Sequence, residues 1–320
     1  MMFILRVFGL ARIFALLIVL FATAVHAEQL SFRKSLEPTL INFDYRWLDL
    51  NNTTQNLSFT LPKKIVYKQK HTKFVPELAQ NFVFIELLKA AREIDPREAR
   101  IEIQQVAQDI RVTVKSRSAK LMRKWQISMQ TKKQQAFDKY LEQNYYAYFK
   151  TPFGQQGFKP DHLRYIDKNK QELLPVATAI FEMLSTDSNP VQYVNLILSW
   201  VQNIPYNALE NRLESNGAGY LPPLSVIANN QGDCDSKTTL TATIIRALLP
   251  DAKMVMVYLP KHALLGLSLP QQLKKDTFLV EGIDYLLMEP TGPASLPLGE
   301  IGTTSENQMA SGMYSYEKIP

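Results

Sequence analysis

The chain contains one cysteine among 320 residues, and this cysteine lies at the start of a helical sequence pattern. Cys234 belongs to Gln231-Gly-Asp-Cys-Asp-Ser-Lys237, which follows a loop-like stretch with several glycines and prolines. Apolar residues then recur at helical spacing as far as Pro250. A cysteine in the first helical turn lies near exposed N–H groups, which favour the thiolate and lower the thiol pKa. The pattern predicts a reactive thiol; a packed side chain and an intermolecular link are the alternatives.

The first 27 residues have the composition of a secretory signal. Arg6 and Arg12 accompany an apolar run from Ile13 to Val25, and Val25-His26-Ala27 fits a cleavage site. An uncleaved membrane anchor is the alternative, although the run is short for a bilayer-spanning helix. We expect a bacterial protein that is periplasmic or secreted and that has no transmembrane segment after signal cleavage.

Charge and length set broad limits on function and organisation. The formal net charge is +6, or +4 (6 − 2) without the two arginines of the signal, and this mild excess does not indicate nucleic-acid binding. We expect a signal peptide at 1–27, an N-terminal α+β domain or extension of unknown role at 28–155, a second domain at 156–299 and a polar tail at 300–320. We expect the tail to be a frayed terminus, with a mobile loop at the substrate cleft as the alternative.

Two patterns in the N-terminal part predict secondary structure. Residues 110–114 alternate between apolar and polar side chains, which is typical of a half-buried strand. A helical stripe ends before Asp95-Pro96, because proline disfavours helical geometry in the preceding residue. The apolar residues of that stripe are Leu78, Phe82 and Ile85.

The C-terminal half predicts helices followed by an antiparallel sheet. Asn189-Pro190 is typical of a helix start, since asparagine caps well and proline fits the first helical position. Residues 253–258 read as a buried strand, His262 opens another, and a hairpin turn is expected around Gly282. His262 at one strand start and Glu289 at a neighbouring strand end are therefore expected to meet over the helix that begins at Cys234.

From about Asp187 to Pro293 the chain resembles the transglutaminase-like superfamily, a branch of the papain-like fold. The resemblance lies in a helix ending Ile197-Leu-Ser-Trp-Val-Gln-Asn-Ile-Pro-Tyr206, the Gly-Asp-Cys turn with its helix, His262-Ala263 on a strand, and Glu289-Pro-Thr291. It covers roughly a third of the chain. It implies an α+β fold in which a nucleophile at a helix N-terminus packs on an antiparallel sheet.

The same resemblance implies a catalytic triad. Cys234 would be the nucleophile, His262 the general base and later acid, and Glu289 the residue that orients His262. The family usually has aspartate in the last position, so the extra methylene of Glu289 requires a different spacing from His262. The family also commonly has tryptophan after His-Ala, where this chain has Leu264.

Oxyanion and metal candidates are less well defined by the sequence. Tyr206 and Gln231 are the candidates for an oxyanion donor or a cleft residue. Some periplasmic proteases of the superfamily bind calcium through acids beside the cysteine, and Asp233 and Asp235 occupy similar positions. Calcium takes six to eight oxygens, so two carboxylates are too few, and helix capping by Asp233 is the simpler account. We expect no cofactor; the other histidines show no zinc-binding spacing.

The resemblance implies an exported acyl-transfer enzyme that cleaves or transfers peptide or amide bonds through a thioester. Hydrolysis, as in a cysteine protease or amidase, is favoured over transamidation. The expected substrates are peptides or proteins, including envelope proteins and peptidoglycan peptides. The alternative is a catalytically idle transglutaminase-like module that binds peptides or proteins of the cell envelope.

Overall fold

A computed structural model describes residues 27–68, 71–107, 109–151, 154–211, 219–270 and 277–320. The signal predicted for residues 1–27 lies, except for its last residue, outside these ranges. Within them, no helix is both long and apolar enough to cross a membrane. The mixture of helices and antiparallel sheets confirms the expected α+β class.

The N-terminal strands form a three-stranded antiparallel meander in the order β1-β2-β3. Its elements are β1 (Gln29–Leu36), β2 (Leu40–Leu48) and β3 (Thr54–Pro62), followed by the short helix α1 (Lys63–Val66). Buried and partly exposed residues alternate along β2, because successive strand side chains point to opposite faces. The buried face consists of large apolar residues: Ile41, Phe43, Tyr45 and Trp47.

The next segment builds a separate cluster from two helices and two hairpins. Its elements are α2 (Pro76–Arg92), β4 (Arg100–Val106), β5 (Asp109–Lys115), α3 (Ala119–Gln143), β6 (Tyr146–Lys150) and β7 (Gln156–Pro160). The strand predicted at 110–114 and the end of the helix before Asp95-Pro96 are confirmed.

The buried face of α2 differs from the predicted stripe. Leu78 and Ile85 are 57% and 51% exposed, whereas Ala79, Val83 and Leu87 are buried. Small and branched side chains on this face pack against α3 and the β4–β5 hairpin. The helical spacing of the apolar residues was predicted correctly, but α3 and the β4–β5 hairpin pack against a neighbouring face of α2.

The C-terminal half is a layer of helices on a five-stranded antiparallel sheet. The helices are α4 (His162–Asn169), α5 (Leu174–Glu182), α6 (Pro190–Asn203), α7 (Pro223–Asn229) and α8 (Cys234–Leu248). The strands are β8 (Lys253–Leu259), β9 (His262–Ser268), β10 (Thr277–Val280), β11 (Ile283–Met288) and β12 (Ser315–Ile319), in the order β10-β11-β9-β8-β12. Helix α9 (Thr303–Ala310) lies between β11 and β12 in the chain.

Local chemistry accounts for the predicted boundaries in this half. The Asn189 side chain accepts from the Gln192 backbone N–H, and the Gln192 side chain accepts from that of Asn189, so α6 begins with a capping box. The β10–β11 turn has positive φ angles at Glu281 (49°) and Gly282 (78°), as a tight hairpin requires.

The C-terminal residues are ordered, in place of the expected frayed terminus. Strand β12 pairs with β8 along its whole length, from Ser315 opposite Tyr258 to Ile319 opposite Met254. The Arg246 side chain, on α8, donates to the Ile319 carbonyl oxygen at 3.2 Å. The end of the chain is therefore an edge strand of the main sheet.

The buried core crosses the boundary that the sequence suggested near residue 155. Side chains from β2 and β3 join those of α5 to α8 and the main sheet in one cluster. Trp47 donates through Nε1 to Ser199 Oγ at 3.0 Å, and Tyr45 packs edge-on against Trp200 with ring centroids 5.1 Å apart. Helices α2 and α3 have clusters of their own.

Candidate active site

The single cysteine is the first residue of α8. Asp233 caps this helix: its Oδ1 accepts from the Ser236 N–H at 3.0 Å and also from the Ser236 hydroxyl. Capping by Asp233 therefore has direct support. Cys234 is 8% exposed and begins a helix that is buried almost throughout.

The surroundings of the thiol oppose the expected lowering of its pKa. Sγ lies 3.8 Å from the Lys261 carbonyl oxygen and 3.8 Å from Asp235 Oδ1. Burial raises the pKa of the Cys234 thiol, and the carboxylates of Asp235 and Asp233 raise it further. In the free site these effects outweigh the helix N-terminus, so the thiol is the resting form at neutral pH. The expectation of a lowered pKa was wrong because it left out burial and the two flanking acids.

His262 and Glu289 meet, as the strand pattern predicted. Strands β9 and β11 are antiparallel neighbours, with Met288 opposite Leu265, and Glu289 directly follows β11. Nε2 of His262 lies 2.7 Å from Oε1 of Glu289. At this distance the Glu289 carboxylate orients the ring and can balance its charge once His262 is protonated.

The second oxygen of Glu289 is also engaged. Oε2 accepts from the Gly302 N–H at 2.9 Å and from Ser305 Oγ at 3.2 Å. Burial alone would raise the pKa of this carboxyl, but the contact with His262 and the Gly302 donor outweigh burial and leave the pKa lowered. Glu289 is therefore held ionised behind His262.

Cys234 and His262 line the same cleft, which has a volume of about 710 Å³. One wall comes from the β6–β7 hairpin, through Phe149 and Lys159. Tyr206, one of the two candidates for an oxyanion donor or cleft residue, also lines the cleft. The cleft therefore brings Cys234 and His262 together with side chains of the β6–β7 hairpin.

The two oxyanion candidates lie in different surroundings. Tyr206 forms a parallel bridge with Gly232, and its side chain extends into the cleft with 57% of the residue exposed. Gln231 does not line the described part of the cleft; its Oε1 accepts from Asn207 Nδ2 at 3.2 Å. The geometry places Tyr206 nearer to the reacting groups than the Gln231 side chain.

A second polar network, not found from the sequence, lies beside Cys234. Nε2 of His162, which is fully buried, is 3.7 Å from Oδ2 of Asp235. Nδ1 of His162 is 3.0 Å from the Tyr258 hydroxyl. That hydroxyl donates to Glu317 Oε2 at 2.9 Å, and Lys159 donates to the same oxygen at 2.8 Å. These residues come from α4, α8, β8, β12 and β7, so no local sequence pattern could have joined them.

A buried lysine lies behind the site. Lys237, on α8, is fully buried, and its Nζ donates to the Gln202 carbonyl oxygen at 3.4 Å. Burial lowers the pKa of this lysine to about 7. The Gln202 side chain donates to the Glu289 carbonyl oxygen at 3.0 Å. Lys237 and Gln202 thus connect the helix that begins at Cys234 with the backbone of Glu289.

The metal candidates have other contacts. Oδ1 of Asp233 accepts the hydrogen bond that caps α8. Burial, and to a smaller extent the charge of Asp235, raises the pKa of the Asp233 carboxyl to about 7. Over the described ranges, no three or more His, Cys, Asp or Glu side chains are grouped as a metal site. His71 is buried away from the cleft, with Nδ1 3.1 Å from the Tyr165 hydroxyl.

Residues 178–278 match the family model of the transglutaminase-like superfamily. The match begins in α5 and runs through α6, α7, α8, β8 and β9 into β10, so it contains Cys234 and His262 and ends before Glu289. No curated protein and no solved structure matches the chain. The geometry of the third triad position therefore comes from this structure.

Proposed function

From the premise that residues 178–278 form a transglutaminase-like domain, we propose that the protein is a thiol-dependent acyl-transfer enzyme acting on peptide or amide bonds. The observation that carries the proposal is the convergence of Cys234 and His262 on one cleft, with Glu289 2.7 Å behind the imidazole. Covalent catalysis requires a nucleophile, a base and a group that orients the base.

The proposed first step forms a thioester. His262 accepts the thiol proton as Sγ of Cys234 attacks the substrate carbonyl carbon. The carbon–nitrogen bond then breaks, and His262 returns the proton to the leaving amine. Glu289 stabilises the imidazolium between these transfers. Because the thiol is the resting form, proton transfer to His262 accompanies the attack.

The thioester is resolved by water or by a second amine. Water would attack the thioester carbonyl with His262 as base and release an acid and the thiol, which is hydrolysis; an amine would give transamidation. We favour hydrolysis, because Tyr206 on the cleft wall is 57% exposed and the cleft is open to solvent. Peptidoglycan peptides and envelope proteins are the proposed substrates, together with a periplasmic or secreted location inferred from residues 1–27.

A generic ester tests the acyl-transfer chemistry. p-Nitrophenyl acetate should release p-nitrophenolate and leave an acetyl group on Cys234, seen by intact mass spectrometry. Cys234→Ser should abolish the adduct, and His262→Ala should slow acetylation at pH 7 by at least about ten-fold, because a positioned general base contributes roughly 10²–10⁴. Equal acetylation rates in His262→Ala and the parent protein would rule out the proposed role of His262.

An idle binding module is the second candidate, and the raised pKa of Cys234 favours it. Iodoacetamide alkylation across pH 6 to 10 separates the two. An enzyme should lose neutral-pH reactivity in His262→Ala, because the base that accepts the thiol proton is missing. A binding module should give the same pH profile with and without the histidine.

A further inference from the structure

We propose that the floor of the cleft beside Cys234 is a subsite for a positively charged substrate group, with Asp235 as its counter-ion. The group is a primary ammonium or a guanidinium on an aliphatic stem, as in a lysine-like side chain or a diamine. The inference rests on the proposed function for its role in catalysis. The subsite itself follows from the charges and contacts around Asp235.

Asp235 presents an incompletely paired carboxylate to the cleft. Its side chain is 31% exposed and lines the cleft next to the thiol. Its two closest described contacts are both long, 3.8 Å from Oδ1 to Sγ of Cys234 and 3.7 Å from Oδ2 to Nε2 of His162. Burial raises the pKa of this carboxyl, whereas Lys159 lowers it less strongly. A half-buried carboxylate in this position gains stability from a cation that enters the cleft.

His162 does not supply that cation. The Tyr258 hydroxyl donates to Glu317, so it accepts from Nδ1–H of His162. Nε2 of the neutral ring then carries no proton and is an acceptor that faces Asp235 without a hydrogen-bond donor. Burial lowers the pKa of His162, which keeps the ring neutral. Two acceptor atoms, Nε2 of His162 and Oδ2 of Asp235, therefore face each other at 3.7 Å.

Lys159 does not supply a complete counter-charge either. Its Nζ lies 2.8 Å from Glu317 Oε2 and 4.7 Å above the centre of the Tyr258 ring. The lysine is thus neutralised mainly by Glu317. Asp233 adds negative charge when it is ionised, and the three neighbouring tyrosines supply no positive charge. The other titratable groups that interact with Asp235 are Tyr206, Tyr220, Tyr258, Asp233, Cys234 and His262.

The cleft walls suit an aliphatic stem with a charged end. The Phe149 ring lies over Gly157, where a Cβ would come within 2.7 Å of it, and this close approach fixes the ring at the cleft. Tyr206 and Tyr258 add aromatic surface. Long cationic side chains bury their methylenes against apolar surface, and aromatic faces attract their charge.

A pair of thiol reagents tests the subsite without knowledge of the substrate. The Cys234 thiolate attacks the sulfenyl sulfur of an alkyl methanethiosulfonate, forms a mixed disulfide and releases methanesulfinate. The 2-aminoethyl reagent carries an ammonium, and the ethyl reagent is neutral. Both react with the same thiolate, so the ratio of their rates cancels any change in thiol pKa. The reactions are run in EDTA to exclude divalent cations.

We expect the cationic reagent to be favoured in the parent protein and Asp235→Asn to lower the rate ratio roughly five-fold, since a partly screened unit charge acts at short range. Glu210→Gln, which removes another carboxylate lining the cleft, is the matched control and should change the ratio less than two-fold. An equal fall in both variants, or an unchanged ratio in Asp235→Asn, would overturn the subsite. Thermal unfolding checks that both variants are folded.

Two further comparisons identify the source of the cation. Peptide electrophiles with lysine or norleucine beside the reactive carbon report on the acyl side. Deacylation of acetylated Cys234 by 1,4-diaminobutane or butylamine reports on the amine acceptor. A cation preference that Asp235→Asn removes in one comparison assigns the subsite to that side; no preference in either overturns the proposal. Failure to acetylate Cys234 would overturn the proposed enzyme activity instead. The rate ratio of the two methanethiosulfonate reagents would still test the subsite.

Discussion

Glu289 connects three groups through the two oxygens of one carboxylate. Oε1 contacts His262, while Oε2 accepts from the backbone of Gly302 and the hydroxyl of Ser305. The sequence suggested that glutamate would need a different spacing from the usual aspartate. The structure shows the spacing: the extra methylene lets one carboxylate hold the imidazole and the start of α9.

Substitutions at Glu289 should separate charge from reach. Glu289→Gln removes the charge that stabilises the imidazolium and should slow acetylation of Cys234 by about ten-fold or more. Glu289→Asp keeps the charge but cannot span both sets of partners, so we expect an intermediate rate.

Ser305→Ala is the matched control, because Gly302 still holds Oε2. It should slow acetylation less than three-fold in the same p-nitrophenyl acetate assay. Parent-like acetylation in Glu289→Gln would show that the carboxylate does not support His262.

Lys237 should make the protein less stable at neutral pH than an apolar residue would. Its folded pKa is about 7, below the ordinary value of 10.5, so the unfolded chain binds more protons between these values. The parent protein therefore gains stability as pH rises through this window, by roughly 1.4 kcal/mol per pH unit.

Lys237→Met removes this dependence, so its stability advantage should shrink from pH 7 to pH 9. Chemical denaturation of both proteins at several pH values measures the difference. A constant difference over this range would contradict a neutral buried amine.

The sequence was most informative for residues that occupy a definite position in a short sequence pattern. Short patterns predicted Cys234 at a helix start, His262 at a strand start and Glu289 at a neighbouring strand end, and the family resemblance implied their roles. The contact between His162 and Asp235 was missed because α4 and α8 are far apart in the chain. The raised thiol pKa was missed because burial depends on packing that no local pattern encodes.

Among the secondary-structure elements, β12 is the one that differs most from the prediction, because the sequence predicted a frayed terminus there. Its residues, Ser315-Tyr-Glu-Lys-Ile319, are mostly polar, and only Ile319 is fully buried. An edge strand has one neighbour and one solvent-facing side, so its sequence carries a weak hydrophobic pattern. By contrast, α6 and the β10–β11 hairpin have specific caps or turn residues and were predicted correctly.

Removal of β12 should damage the site as well as the sheet. A chain ending at Gly312 loses the pairing with β8 and the Glu317 carboxylate that holds Lys159 and Tyr258. We expect a lower melting temperature and slower acetylation of Cys234. Removal of Pro320 alone is the control and should change neither. Normal melting and acetylation in the longer truncation would show that β12 is dispensable.

At the scale of the whole molecule, the family match covers residues 178–278, whereas the shared core also includes β2 and β3. The aromatic face of β2 and β3 completes the core around Trp200 of α6. A fragment of residues 156–320 would expose this surface to water and should aggregate or resist purification as a folded monomer. The chain from residue 27 should melt cooperatively. A stable, monomeric fragment with native circular dichroism would contradict a shared core.

The two faces of the β6–β7 hairpin have different consequences for the evolution of substrate specificity. One of its faces, with Phe149 and Lys159, lines the cleft, while the other, with Tyr148 and Phe158, packs toward α3. A saturation scan of the two strands, Tyr146–Lys150 and Gln156–Pro160, should therefore show changes of substrate choice at alternate positions and losses of folding at the positions between them. Selection for a new substrate can thus act on every second residue of this hairpin while leaving the thiol, the imidazole and their supporting carboxylate untouched.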